Sequence, residues 1–140
     1  MTWVNGDSFQ GQSKNGKENG QGKMSRENGE SFQGKYKDGE ALAASVGNGT
    51  FIWPNGDTYE GEWKDWQQHG QGTLTYGKGE SEGQKNVGEW QNNLQHGQGT
   101  WIIPDGSKWV GEMKDGRDWN TTGYDEAGNI NGKFVNGVEK

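Results

Sequence analysis

Aromatic and polar residues alternate in short runs along this chain, and glycine keeps entering those runs where a strand would carry a side chain. In YEGEWKDWQQHGQGTLTY, residues 59–76, Tyr59, Trp63, Leu74 and Tyr76 stand among polar neighbours, and Gly61, Gly70 and Gly72 interrupt them. Period-two alternation predicts half-buried β-strands. Glycine inside a strand costs backbone entropy and packs nothing, so a single instance would mark a loop. Here the pattern recurs. Units begin at FQGQSKNG (9), FQGKYKDG (32), YEGEWKDW (59), NVGEWQNN (86), WVGEMKDG (109) and INGKFVNG (130), separated by 23, 27, 27, 23 and 21 residues. The first four also carry Gly-x-Gly, at Gly20/Gly22, Gly47/Gly49, Gly70/Gly72 and Gly97/Gly99. The extra residues of the two longer units fall in different places, EALAASV in one and GKGESEGQKN in the other. Insertions that move while the frame holds indicate strands joined by tolerant loops.

Turn parity sets the register. Units are separated by VNGDS, ENGES, PNGDT and PDGSK. A two-residue turn at Asn55-Gly56 would pair Ile52 with Tyr59 and put Phe51 and Trp53 on the face opposite Tyr59 and Trp63. A three-residue loop, Pro54-Asn55-Gly56, closes as a type I turn followed by a left-handed glycine. It pairs Phe51 with Tyr59 and Gly49 with Gly61, and by the same rule Met24 with Phe32, Gly22 with Gly34, Trp101 with Trp109 and Gly99 with Gly111. Only this choice gathers the aromatics on one face, since a one-residue slip would turn every side chain over. Facing glycines then leave a bare strip that large rings can cover. Trp63 and Trp90, each two residues after a strand glycine, are expected to provide that cover. The expected fold is all-β, an elongated, twisted, single-layer antiparallel sheet of stacked β-hairpins. No helix longer than residues 40–46 could supply is expected.

Composition sharpens this picture. Of 140 residues only 26% are hydrophobic, 27 are glycine, and mean hydropathy is -1.25. Such values suit a disordered chain, but disordered chains lack aromatics, and this one has 8 Trp, 4 Tyr and 4 Phe. A thin core of few, large side chains reconciles the two. The net charge of -6 argues against nucleic acid and anionic membrane surfaces as partners. The nearest basic group, Lys14, Lys17, Lys23 and Arg26, is diluted by Glu18 and Glu27. With no cysteine there is no thiolate chemistry. Residues 1–12 carry no signal-peptide pattern, and no apolar run is long enough to span a bilayer, so a cytoplasmic location is expected.

These motifs resemble the MORN (membrane occupation and recognition nexus) repeat. YEGEWKDWQQHGQGTLTY, VGEWQNNLQHGQGTWIIPDG and WVGEMKDG carry the resemblance, with FQGQSKNGKENGQGKM and FQGKYKDG as looser copies. It implies one hairpin per repeat, stacked into a sheet with an aromatic groove, and a non-catalytic scaffold that often self-associates. The whole chain then reads as one repeat domain. Residues 1–8 end a preceding unit, units follow at about 9–31, 32–58, 59–85, 86–108 and 109–129, and 130–140 form a partial unit. Ser13 and Asn86 depart from aromatic positions, and RDWNTTGYDEAGN (117–129) lacks Gly-x-Gly, as distorted or capping units would.

His69 and His96 recur in HGQG and could be metal ligands, but repeat position alone explains them. Asp7, Asp57 and Asp105 recur in turns, where Asp suits the backbone. Glu60, Glu62, Glu89 and Glu112 project opposite the aromatics and read as a solvent face, so no catalytic residue, metal or cofactor is assigned. The aromatic row remains. Trp53, Tyr59, Trp63, Trp90, Trp101 and Trp109, with Tyr36 and Phe51 beside them, are the candidate groove. The expected occupant is a protein segment or a second copy of the chain. The alternative is a glycan stacked on the tryptophans, and a phospholipid ranks below both.

Overall fold

A computed structural model describes residues 2–140. It consists of twelve strands and one short helix: β1 (Ser8–Lys14), β2 (Lys17–Ser25), β3 (Ser31–Tyr36), α1 (Leu42–Ser45), β4 (Val46–Ile52), β5 (Thr58–Lys64), β6 (Gln67–Thr75), β7 (Lys85–Gln91), β8 (Leu94–Ile102), β9 (Lys108–Lys114), β10 (Arg117–Tyr124), β11 (Ile130–Val135) and β12 (Val138–Glu139). The strands form one open sheet in chain order, and every neighbouring pair is antiparallel. The four-residue helix falls inside EALAASV.

Two kinds of turn alternate. Between units the three-residue loop is as the register argument requires, except between β6 and β7, where a longer loop over 77–83 is closed by Tyr76 N–H donating to Gln84 O. Gly56 N–H donates to Trp53 O, Trp53 N–H donates to Asp57 O, and Gly56 has φ 91°. Phe51 faces Tyr59, Gly49 faces Gly61, Met24 faces Phe32, Gly22 faces Gly34, Trp101 faces Trp109 and Gly99 faces Gly111. Within units the turn has two residues, both left-handed, the type I′ pattern that matches strand twist. Asn15-Gly16, Asp38-Gly39, Asp115-Gly116 and Asn136-Gly137 suit it, whereas Asp65-Trp66 and Asn92-Asn93 place a side chain where glycine is easiest.

The core lies on one face of the sheet, as a ladder of rings. Phe9, Tyr36, Phe32, Trp63, Tyr59 and Trp90 follow one another edge to face, at centroid distances of 5.0, 6.4, 5.6, 5.0 and 5.4 Å. All six are buried, and Tyr59 is 0% exposed. The bare strip exists, but the rings leaning over it are the leading ones. A Cβ on Gly22, Gly49 or Gly72 would stand 2.2 Å from Phe9, 2.4 Å from Phe32 or 2.1 Å from Tyr59. Trp63 and Trp90 cap it from the side instead. Their indole N–H groups donate to Gly49 O and Gly72 O at 2.9 and 3.0 Å. Where EALAASV interrupts the second unit, α1 lays Ala43 and Ala44 onto this core. The last units keep the device with different residues: Trp109 lies over Gly123 and Gly132 and against Phe134 at 5.2 Å. Strand β10 is continuous despite lacking Gly-x-Gly.

The glutamates are not a simple solvent face. Opposite Glu62, β6 bulges through His69, Gly70 and Gln71, and the Gln71 N–H that this frees donates to Glu62 Oε2. Gln98 N–H donates likewise to Glu89 Oε2 at 3.0 Å, and Gln21 N–H to Gln12 Oε1 at 3.0 Å. A neutral glutamine does the same work in the first unit, so the group is needed as an acceptor rather than as a charge.

Candidate aromatic groove

Beside the ladder the sheet face opens into a cleft of about 800 Å³ that runs from the second unit to the fourth. Phe51, Trp53, Trp63 and Trp90 of the expected row line it, joined by Trp66 and Leu74. Trp53 leans on Phe51 at 4.7 Å and keeps part of its surface open. A second cleft, of about 620 Å³, lies on the other side of Trp66 and includes Tyr36, Phe32, Arg26 and Glu40. Tyr59 lies beneath the groove, wholly covered. Trp101 and Trp109 are half-buried and line neither cleft, and the Trp101 indole donates to Gln84 Oε1 at 2.9 Å.

Trp66 is the groove residue that sequence reasoning missed. It occupies the second position of the type I′ turn with φ 62°, is 49% exposed, and packs on Phe32 at 5.4 Å. A bulky side chain in left-handed backbone costs about 1–2 kcal/mol. Its departure from the Asn-Gly or Asp-Gly that four of the other five units carry there was the visible signal. Trp66→Gly relieves that strain while losing the contact with Phe32. The variant should unfold within about 1 kcal/mol of the parent, and a denaturant titration checks this.

Titratable chemistry is sparse. His96 Nδ1 lies 3.6 Å from Asp115 Oδ1, on a largely exposed pair. Among the described residues no three potential metal ligands come together. The Tyr36 hydroxyl donates to Phe32 O at 2.8 Å, and burial pushes its pKa up to about 12. Burial first, and the Glu62 charge second, also raise that of Tyr59. An unfolded tyrosine ionises near pH 10. Because the folded values are higher, the stabilisation is complete below about pH 10 and is lost as pH rises through the folded values. Unfolding midpoints should therefore fall between pH 10 and 12, and Tyr36→Phe should flatten that fall. A parent and variant that decline in parallel would contradict this.

The family model of the MORN repeat matches residues 9–31, 45–58, 59–81 and 87–108. A comparison with curated proteins finds no match to the chain. No helix among the described residues is long and apolar enough to cross a membrane.

Proposed function

The chain belongs to the MORN repeat family, and from that premise we propose that it is a non-catalytic interaction module whose aromatic groove receives a protein segment or a second copy of the chain. The observation that carries this reading is the cleft beside the ring ladder. Partly open rings converge there next to rings already committed to the core. Partly exposed aromatics beside a well-packed base are the usual anchors of protein interfaces. The carboxylates support the non-catalytic half, since Glu62 and Glu89 each accept a backbone N–H of the facing strand and line neither of the two aromatic clefts.

The test is selection of a random peptide library on the immobilised chain, with calorimetry on the recovered peptides and sedimentation equilibrium on the chain alone. Peptide binding or self-association that weakens at least about tenfold in Trp53→Ala and Trp66→Gly is expected, in line with the loss of an interface anchor. A monomer that captures no peptide but binds an oligosaccharide would replace this reading with a glycan-binding one.

Lipid is the weaker partner on electrostatic grounds. Lys14, Lys17 and Lys37 line a small cleft together, but Asp38 shares it. Each cation near an anionic surface contributes about 1 kcal/mol, and stable attachment needs more of them. Phosphoinositide vesicles at physiological salt should therefore not co-sediment with the chain. Co-sedimentation abolished by Lys14→Ala with Lys17→Ala would show the opposite.

A further inference from the structure

The ring ladder breaks at Asn86. This residue holds the register position of Phe9, Phe32 and Tyr59, facing Leu74 on one side and Trp101 on the other. Each of those rings leans over a glycine of the bare strip. Over Gly99 lie the Gln95 amide and the Met113 side chain instead, with Nε2 3.2 Å and Cγ 3.3 Å from where a Gly99 Cβ would stand. Gln95 is only 6% exposed, and its Nε2 has no hydrogen-bond partner. Asn86 Nδ2 donates to the Tyr76 hydroxyl at 3.3 Å, but the buried Asn86 Oδ1 has none. Both side chains line the first cleft, beside Trp90, Leu74, Tyr76 and Leu94.

A buried donor and a buried acceptor left unpaired are costly, and native structures hold few of them. Here the side chains that carry them line the same apolar cleft, at the place where the repeat omits its ring, and each atom stays covered until its amide turns toward the cleft. We propose that Asn86 and Gln95 form an amide-reading subsite for an extended peptide segment. Gln95 Nε2–H donates to a carbonyl of the segment, Asn86 Oδ1 accepts an N–H, and an adjoining apolar side chain lies against Leu74 and Leu94. A peptide amide is the group that presents both partners together, and apolar residues flank it. A sugar would need an open ring face at the subsite, but Trp90 is 5% exposed and set edge-on to Tyr59, and Tyr76 is half-buried with its hydroxyl held by Asn86. This proposal rests on the interaction-module reading and names what that groove recognises.

The experiment titrates 3-phenylpropanamide and methyl 3-phenylpropanoate into the full chain and follows the side-chain amide signals of Asn86 and Gln95 and the indole of Trp90 by NMR. The amide should give saturable shifts, and the ester, which lacks the N–H, should bind at least about tenfold more weakly. Asn86→Phe restores the missing ring and should abolish the shifts. Gln95→Met, of similar size but without a donor, should weaken the amide at least about tenfold, and it serves as the test if Asn86→Phe does not fold. Equal binding of amide and ester, or amide binding unchanged in these variants, overturns the subsite. Shifts produced by cellotetraose but not by the amide overturn it too. Peptides recovered by library selection that still depend on Trp53 and Trp66 would then leave the module reading standing without it.

Discussion

Replacing Trp63 or Trp90 by alanine is expected to lower the free energy of unfolding by ~3–5 kcal/mol, the range for removing a buried aromatic. Both rings are 5% exposed and sit edge-on to Tyr59, at 5.0 and 5.4 Å. Each also donates an indole hydrogen bond to the strip carbonyl of the preceding hairpin, Gly49 or Gly72. Truncation therefore removes ring burial and leaves that carbonyl without its partner. Trp53 and Trp101 stand nearer the inter-unit turns than Trp63 and Trp90 and keep part of their surface open. Their replacement should cost less, ~1–2 kcal/mol. Binding should follow a different order. Trp53→Ala should weaken association most, because Trp53 lines the first cleft and Trp101 does not. Denaturation midpoints measured beside a binding or oligomer assay on the four variants separate these effects. If all four unfold alike and all associate like the parent, the groove is only a core.

Much of the fold was legible because strand pairing depends on period and parity, and the sequence displays both. Phe51 opposite Tyr59 follows from a single count of loop residues, and once it is chosen the other units fall into register. What lay beyond alternation is the behaviour of side chains that share a face. Tyr59 and Trp63 both point to the core side of β5, and nothing in their spacing says which ring leans over Gly72. Neighbouring hairpins decide it: Trp90 approaches from the next unit and holds Tyr59 in place. Glu62 is exposed, as its position indicates, but alternation does not show its second role. The bulge across from it exposes a backbone N–H, and the carboxylate bends back to satisfy that donor.

The candidate groove was legible only as a row. Tyr36, Tyr59, Trp63 and Trp90 are buried, whereas Phe51, Trp53, Trp101 and Trp109 keep open surface. A sequence with one aromatic face cannot sort these, because burial in a single layer depends on which rings the adjacent hairpins bring. Departures from the repeat were the better guide. Trp66 in place of a turn glycine and Asn86 in place of a ring both line the first cleft. Residues that obey the repeat build the sheet, and those that break it shape the groove.

Gly72→Ala should be among the most damaging single methyl additions to this chain, costing about 3 kcal/mol by overpacking. Backbone conformation gives no warning of this. Gly72 is not among the left-handed glycines, so alanine would ordinarily stabilise by restricting the unfolded chain, by about 0.4–1 kcal/mol. The obstacle is the Tyr59 ring, whose Oη, Cζ and Cε2 lie 2.1, 2.4 and 2.6 Å from the new Cβ. That ring has nowhere to go, since Trp63 and Trp90 flank it and its hydroxyl donates to Glu62 O at 3.0 Å. Gly128→Ala is the matched control, with φ 89° and no neighbour within 4 Å, so only local backbone strain of about 1–2 kcal/mol applies. The decisive measurement is a double-mutant cycle with Tyr59→Ala, itself expected to cost ~3–5 kcal/mol. Once the ring is gone the methyl has nothing to strike, and adding Gly72→Ala to Tyr59→Ala should cost less than about 1 kcal/mol. Strictly additive costs would mean that the glycine strip is not there to seat the ring.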